Sequence, residues 1–347
     1  MNGKRIIIYD LAAELGISAS YVSRALNSHP LVSKKIVETV KKKAIELNYK
    51  HNSHAANLRQ GSSKTIGVIV PHINQSFFSE AIAGIEEVCF ANNHSLIICQ
   101  SHESYKQECT AIETLIHQNV DCILISISAE TESPDYLNEV ISHKIQLIQF
   151  DRYLDTVNSS RVVNNNKEAS YEAVKKLIEE GYRQVAFIGG PEHLTIFKDR
   201  KEGYLKAIRE ACLSIPCHFI VDNALSKEIA VNISTELLKL KQPPDAFFTV
   251  SDHQSLGVLQ VAESLGIEVP EKLGIFGFAN EAFTELIKPA LSSVDQKGKE
   301  LGKCAANLYF RTIAQRIAST ETDKKEIINS EIIVRQSSLR SMAAVKI

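Results

Sequence analysis

From Tyr9 to Asn27 the chain reads as two short helices separated by a glycine, a spacing that leaves few folds open. Leu11, Ala12, Leu15, Ile17, Val22 and Leu26 fall at helical spacing, on the inner faces of two helices that must pack together. Gly16 stands where a helix C-terminus takes a left-handed residue, and Ser18 follows as the expected N-cap of the second helix. That second helix presents Ala19, Ser20, Ser23 and Arg24 outward. A short helix after such a turn is a common way of placing side chains in the DNA major groove. A third helix is expected after Ser33, its predicted cap. Its buried stripe is Ile36, Val37, Val40, Ala44, Ile45 and Leu47, and its other face carries Lys34, Lys35, Lys41, Lys42 and Lys43.

Charge is divided unevenly along the chain. Residues 1–64 hold 11 Lys and Arg against 4 Asp and Glu, a net of +7; the whole chain is −2, which leaves −9 for the remainder. A lysine run alone describes a solvated helix face. Joined to the helix-turn-helix pattern, it points to nucleic-acid contact at one end only.

Beyond residue 64, short apolar runs alternate with amphipathic stretches. Strands are expected near 65–70, 95–99, 122–126, 146–150, 184–188, 246–250, 273–276 and 291–294. Helices are expected near 78–91, 107–117, 168–180, 200–211, 227–240, 256–265 and 297–318. Such alternation predicts parallel sheets covered on both faces. The seven cysteines are odd in number and include no C-x-x-C pair, so buried reduced thiols are expected rather than metal ligands or disulfides. No stretch is long and apolar enough to span a membrane, and no signal peptide precedes Lys4. A cytoplasmic protein without a membrane partner is expected. No cofactor or metal site is expected either. The histidines lack ligand spacing, Gly189-Gly190-Pro191 lacks the lysine of a phosphate loop, and no nucleophile arrangement such as G-x-S-x-G is present. An enzyme is therefore not expected.

These residues resemble the LacI/GalR family of bacterial transcription regulators. The family's opening run, I-x-D-V-A-x-x-A-G-V-S-x-x-T-V-S-R-x-L-N, corresponds to Ile8 through Asn27, with Leu11 for Val, Leu15 for Ala and Tyr21 for Thr. Its continuation corresponds to Val32-Ser33 through Tyr49-Lys50-His51-Asn52, with His51 in the proline slot. The similarity extends to Ile333-Val334-Arg335-Gln336-Ser337-Ser338. The resemblance implies an α/β protein with an N-terminal all-α helix-turn-helix headpiece and a two-lobed core like that of periplasmic binding proteins, its parallel sheets flanked by helices. Headpiece (1–50), hinge helix and linker (51–64) and core (65–347) follow in order. The first lobe would hold about 65–162 and 295–325, and the second about 163–292.

The same resemblance assigns roles. Arg24 would bridge guanine O6 and N7, or else pair with a phosphate. Ala19 and Ser20 occupy positions that vary with operator sequence, and Tyr9, Ser18, Ser23 and Asn27 would position the phosphates. In the hinge, Ala55 matches the family form and Leu58 would wedge into the minor groove. One departure is Ile7, where the family has a threonine cap; only Asp10 remains of the capping box, which predicts a frayed start to the first helix.

In the cleft, Phe77 and Phe78 would stack on a sugar or base, or belong to the core. Their motif has Gln75-Ser76 in place of Asn-Pro. Asp151 would accept hydroxyl bonds or pair with Arg152. Arg200 aligns with the family's effector-binding arginine. Ser251, Asp252 and Asn280 fall in the "N-D" and "G-F-D-D" places, with Ser251 for Asn and Ala279 for Asp. Asn280 or Gln296 would compensate for the lost carboxylate. That loss favours a phosphorylated or acidic sugar over a neutral one. The implied protein is a homodimeric repressor, with Leu308 and Phe310 at its dimer face, binding double-stranded operator DNA under control of a sugar or sugar derivative. The competing expectation is a solute-binding module without regulatory role.

Overall fold

The computed structural model describes residues 6–49, 62–314 and 324–340. The chain divides into two compact units, residues 1–63 and 64–347, each built around its own core.

The first unit holds three helices: α1 (Ile8–Leu15), α2 (Ala19–Leu26) and α3 (Lys34–Glu46). Gly16 ends α1 with φ 61°, a left-handed conformation that glycine adopts without a Cβ penalty. Ser18 caps α2, its Oγ accepting from the Tyr21 N–H at 3.2 Å. The buried core is Leu11, Ala12, Val22, Ala25, Val32, Val40 and Ala44, with Leu15, Ile17 and Leu26 packed partly buried against it. Two local expectations are corrected. Ser33 occupies the N-cap position of α3 but its side chain makes no cap bond. Ile45 is 81 % exposed, because the third helix turns its buried stripe through Val40 and Ala44 instead. The start of α1 keeps one half of a capping box, the Asp10 carboxylate accepting from the Ile7 N–H at 2.9 Å.

The second unit contains two six-stranded sheets. The first uses β1 (Thr65–Val70), β2 (Ser95–Gln100), β3 (Cys122–Ile125), β4 (Gln146–Phe150), β5 (Ser160–Asn164) and β11 (Lys325–Ile328), in the order β11-β5-β4-β3-β1-β2. The second uses β6 (Val185–Ile188), β7 (Ile220–Val221), β8 (Ala246–Thr249), β9 (Gly274–Phe278), β10 (Ser292–Asp295) and β12 (Glu331–Ile333), in the order β12-β10-β9-β8-β6-β7. All pairings are parallel except β10 with β12. Every residue of β1 is buried, as a central strand covered on both faces requires.

Helices α4 (Ser76–Ala91), α5 (Tyr105–His117), α6 (Asp135–Ser142) and α11 (Gly298–Ala314) accompany the first sheet. Helices α7 (Asn166–Glu179), α8 (Thr195–Glu210), α9 (Lys227–Leu238) and α10 (Asp252–Ser264) accompany the second. In each sheet a helix pair comes into backbone contact through glycine. A Cβ on Gly302 of α11 would lie 2.0 Å from the Ala81 carbonyl of α4, and one on Gly203 of α8 would lie 2.2 Å from the Lys167 carbonyl of α7.

The chain passes between the sheets three times, after Asn164, after Asp295 and after Ile328. The lobe limits differ accordingly from those expected. β5 carries the first sheet to 164, β10 carries the second to 295, and β12 with the 3-10 turn Gln336–Ser338 returns to the second sheet. Two further expectations fail. Leu308 is 3 % exposed and lies in the core of the first sheet, so it is not free to face a partner, while Phe310 is partly buried against that core. All seven cysteines are free, but only Cys89 and Cys122 are buried, and Cys212 and Cys217 are exposed. Among the described residues no helix is long and apolar enough to cross a membrane.

Candidate functional site

On the headpiece, the surface of α2 presents Ser20 and Arg24 exposed, with Ala19 and Ser23 half-buried beside them. Arg24 makes no ion pair with any described residue, so its guanidinium is available for a base edge or a phosphate. Tyr9 is 68 % exposed on α1. Ser18 is committed to capping α2, and the Asn27 amide donates to the Ser23 carbonyl at 2.9 Å, which ties it to its own helix end. Ala55 and Leu58 lie outside the described residues.

In the second unit a cavity of about 430 Å³ opens between the two sheets. Its walls are the segments that follow β1, β2, β4, β8, β9 and β10, together with the amino-terminal parts of α4, α8, α9 and α10. This is the crevice beyond the carboxyl ends of parallel strands where open α/β sheets bind ligands. Six of the expected residues line it: Phe77, Phe78, Asp151, Arg200, Ser251 and Gln296. Phe77 and Phe78 are 6 % and 2 % exposed, pack edge to face at 5.1 Å, and belong to the core of the first sheet as well.

Asp151 holds a left-handed backbone, φ 58°, at the end of β4. Burial pushes its carboxyl above the usual carboxylate range, while Arg152 and Arg200 pull the other way. Its oxygens receive the Ser126 hydroxyl and the Gln296 amide, each at 3.3 Å. Arg152 lies 3.9 Å from Asp151 and binds both oxygens of Glu103, at 2.9 and 2.7 Å. Burial alone would raise the Glu103 carboxyl, but the Arg152 charge holds it below its ordinary value. Arg200 donates through Nε to Asn166 Oδ1 at 2.9 Å and through Nη1 to the Val250 carbonyl at 2.8 Å, with its guanidinium 3.6 Å from the centre of the Phe278 ring. Burial brings it down to about 9.

Asp252 and Asn280 do not line the cavity. Asp252 is fully buried at the start of α10, where it accepts the Ser293 hydroxyl at 2.7 Å and the Glu281 N–H at 2.8 Å; burial pushes it up to about 7. Asn280 is bound by Arg335 at 2.9 Å. Both belong to the scaffold that holds the β9–β10 connection.

The lining residues that sequence reasoning missed include His72, Phe197, Lys227, His253 and Glu281. Glu281 does more than line the wall. Both its oxygens accept from the Ser76 N–H, at 3.1 and 3.0 Å, and the Ala282 N–H donates to Ser76 Oγ at 3.3 Å. The loop after β9 thereby caps α4, joining the mouths of the two sheets. A proline at 76, as in the resembling motif, has no N–H to give. Losing a hydrogen bond to a charged acceptor forfeits about 1.5–3 kcal/mol. In Glu281→Ala, hydrogen exchange of the segment beginning α4 is therefore expected to accelerate at least about tenfold. Exchange mass spectrometry reads this, and an unchanged rate would show that the contact holds nothing closed.

A basic helix-turn-helix unit, joined in one chain to a two-sheet unit with a cleft at its strand ends, defines a ligand-responsive DNA-binding regulator. Residues 7–52 match the model of bacterial regulatory proteins of the lacI family, and residues 174–338 match that of a periplasmic binding protein-like domain. The chain thus carries a DNA-binding domain of the lacI family of bacterial regulatory proteins, followed by a periplasmic binding protein-like domain. It is 28 % identical over 337 residues to the HTH-type transcriptional repressor PurR of Vibrio atlanticus, covering 96 % of this chain and 99 % of that one. It is 29 % identical over 333 residues to the ribose operon repressor of Haemophilus influenzae, covering 96 % and 98 %. In fold it is similar to the lac repressor dimer bound to operator and the anti-inducer ONPF. The TM-score is 0.83, at 20 % identity, over 97 % of this chain and all of that one.

Proposed function

We propose that this protein is a cytoplasmic, homodimeric repressor whose hold on operator DNA is set by a small molecule in the cleft between its sheets. The observation that carries this reading is the exposed Ser20 and Arg24 edge of α2 within a stretch, residues 1–64, of net charge +7, in the same chain as the cleft. Two copies would place two α2 helices on the halves of a near-palindromic operator. Arg24 would read a guanine, Ser20 and Ala19 would sit against neighbouring base edges, and Tyr9 and Ser23 would contact phosphates. Ala55 and Leu58 would lie at the minor groove between the half-sites.

Ligand in the cleft would work through differential affinity for two arrangements of the sheets, and a coupling of about 1–3 kcal/mol suffices to switch occupancy. Phe77, Phe78, Asp151, Arg200, Ser251 and Gln296 would contact it. Two acids of the cleft are engaged as scaffold, Glu103 by Arg152 and Glu281 by Ser76, while Asp151 faces the ligand. The test is anisotropy on a duplex from the gene's own upstream region. Affinity is expected to fall steeply as salt rises, as phosphate contacts release counterions. Arg24→Ala is expected to weaken binding about 10- to 100-fold. Salt-independent binding, or an Arg24→Ala protein equal to the parent, would contradict the proposed mode.

A further inference from the structure

The three crossings between the sheets meet at one side chain. Asn164 ends β5 and opens the first crossing, in the run Asn164-Asn165-Asn166. It is 4 % exposed, and its amide nitrogen donates to the Gln296 carbonyl at 2.8 Å and to the Ile328 carbonyl at 3.1 Å. Gln296 stands on the second crossing and Ile328 on the third. Asn164 Oδ1 accepts in turn from the Gln296 side-chain amide at 3.4 Å. An amide carries two donors and an acceptor oxygen on one short stem, so a single side chain can bond both other crossings at once. Asn165 adds a further tie to the third crossing, its Oδ1 accepting from the Ser330 N–H at 2.8 Å.

A buried asparagine is costly unless its polar atoms are bonded. Here the bonds come from residues 132 and 164 positions away in the sequence, and they exist only while the three crossings keep this spacing. Rotation of one sheet against the other must turn the backbone at the crossings, so a side chain bonded to all of them opposes it. The same network reaches the cavity without Asn164 lining it. The Gln296 amide also donates to Asp151 Oδ1 at 3.3 Å, and Gln296 and Asp151 both line the cleft. Both bonds of that amide are longer than the usual N–H···O distance, so it is shared between the clamp and the cavity wall rather than committed to either.

We propose that Asn164 is a positioning residue for the cleft: its side chain clamps the three crossings and so holds the two sheets at the angle at which Ser76 meets Glu281 across the mouth. The backbone carbonyls of Gln296 and Ile328 are the principal points it grips, and the Gln296 amide is a lesser one. The proposal concerns the mechanics of the core alone, so it stands or falls without DNA or ligand.

The experiment is hydrogen exchange of the full chain, read by mass spectrometry, on the parent, Asn164→Leu, Asn164→Ala and Gln296→Ala. Leucine copies the branched shape of asparagine without a donor or acceptor, and alanine removes the same bonds without adding volume, which covers the case in which leucine does not fit. The reporters are the Ser76 and Ala282 N–H groups, which bridge the two sheets and make no hydrogen bond to Asn164. In the Asn164 variants they are expected to exchange at least about tenfold faster, because the sheets open, while the buried strands β1 and β8 keep the parent's rates. Gln296→Ala keeps the carbonyl that Asn164 grips, and is expected to speed the reporters by no more than about threefold. Three results would overturn the proposal. Acceleration confined to residues 160–166, 295–299 and 328–331, with the reporters unchanged in both Asn164 variants, would reduce Asn164 to a local strand end. Equal acceleration of the reporters, β1 and β8 in both would mean lost stability rather than opening. Gln296→Ala matching the Asn164 variants would move the clamp to the Gln296 side chain.

Discussion

Replacing Gly302 by leucine is expected to destabilise the second unit by at least about 3 kcal/mol. The reason is backbone contact: a Cβ at 302 would stand 2.0 Å from the Ala81 carbonyl oxygen, 2.7 Å from its carbon and 2.9 Å from its Cα. No rotamer relieves a clash with a helix backbone, so α11 must move off α4. Gly84 faces the same crossing from the other side, its Cβ position 2.2 Å from the Lys299 carbonyl, so the whole seam opens. For a unit of this size the melting temperature should fall by roughly 6–12 °C. Glu87→Ala is the control on the same helix pair. It removes the ion pairs to Lys299 and Lys303, at 3.1 and 2.6 Å, which are exposed to solvent and contribute little. Equal losses in the two variants would show that charge, not close approach, joins these helices.

The second large effect is expected in the headpiece. Leu11 is fully buried in a core of seven hydrophobic residues, with little around it to collapse into a void. A buried leucine truncated to alanine costs about 2–5 kcal/mol, and a domain of this size has only a few kcal/mol to lose. Leu11→Ala is therefore expected to unfold α1 and α2 and to abolish operator binding, a loss of at least about a hundredfold. The cleft has its own core, so melting of the second unit should persist. Binding assays and melting on the same preparation check both halves; operator affinity within about threefold of the parent would contradict this account of the headpiece.

Residues whose role is local were legible in the sequence. Gly16, Ser18 and the inner-face leucines announce the turn, and the apolar runs of β1, β3, β4 and β8 announce buried strands. What stayed hidden depends on distant partners. β5 was missed because its Arg161 and Asn164 break the apolar run, yet both are buried, Asn164 being held by the Gln296 carbonyl at 2.8 Å. β11 and β12 begin with charged residues, as edge strands do. Ile45 has helical spacing but falls on the face that the three-helix core leaves exposed.

The cleft shows the same division. Arg200 and Asp151 were identified from their motifs, and both line the cavity. Asp252 and Asn280 share motifs with lining residues, but Asp252, at the start of α10, turns inward to accept the Glu281 N–H, and the tight turn after β9, with Ala279 at φ 111° and Asn280 at φ 53°, gives Asn280 to Arg335. Glu281 meets Ser76 across 205 residues of sequence, a pairing that no local pattern encodes.

The most direct test of the central claim is to incubate the purified full chain with genomic fragments and sequence those retained. One enriched near-palindrome, lost in Arg24→Ala, is the predicted result. Fragments retained in proportion to their abundance, equally by both proteins, would contradict sequence-specific regulation by this chain.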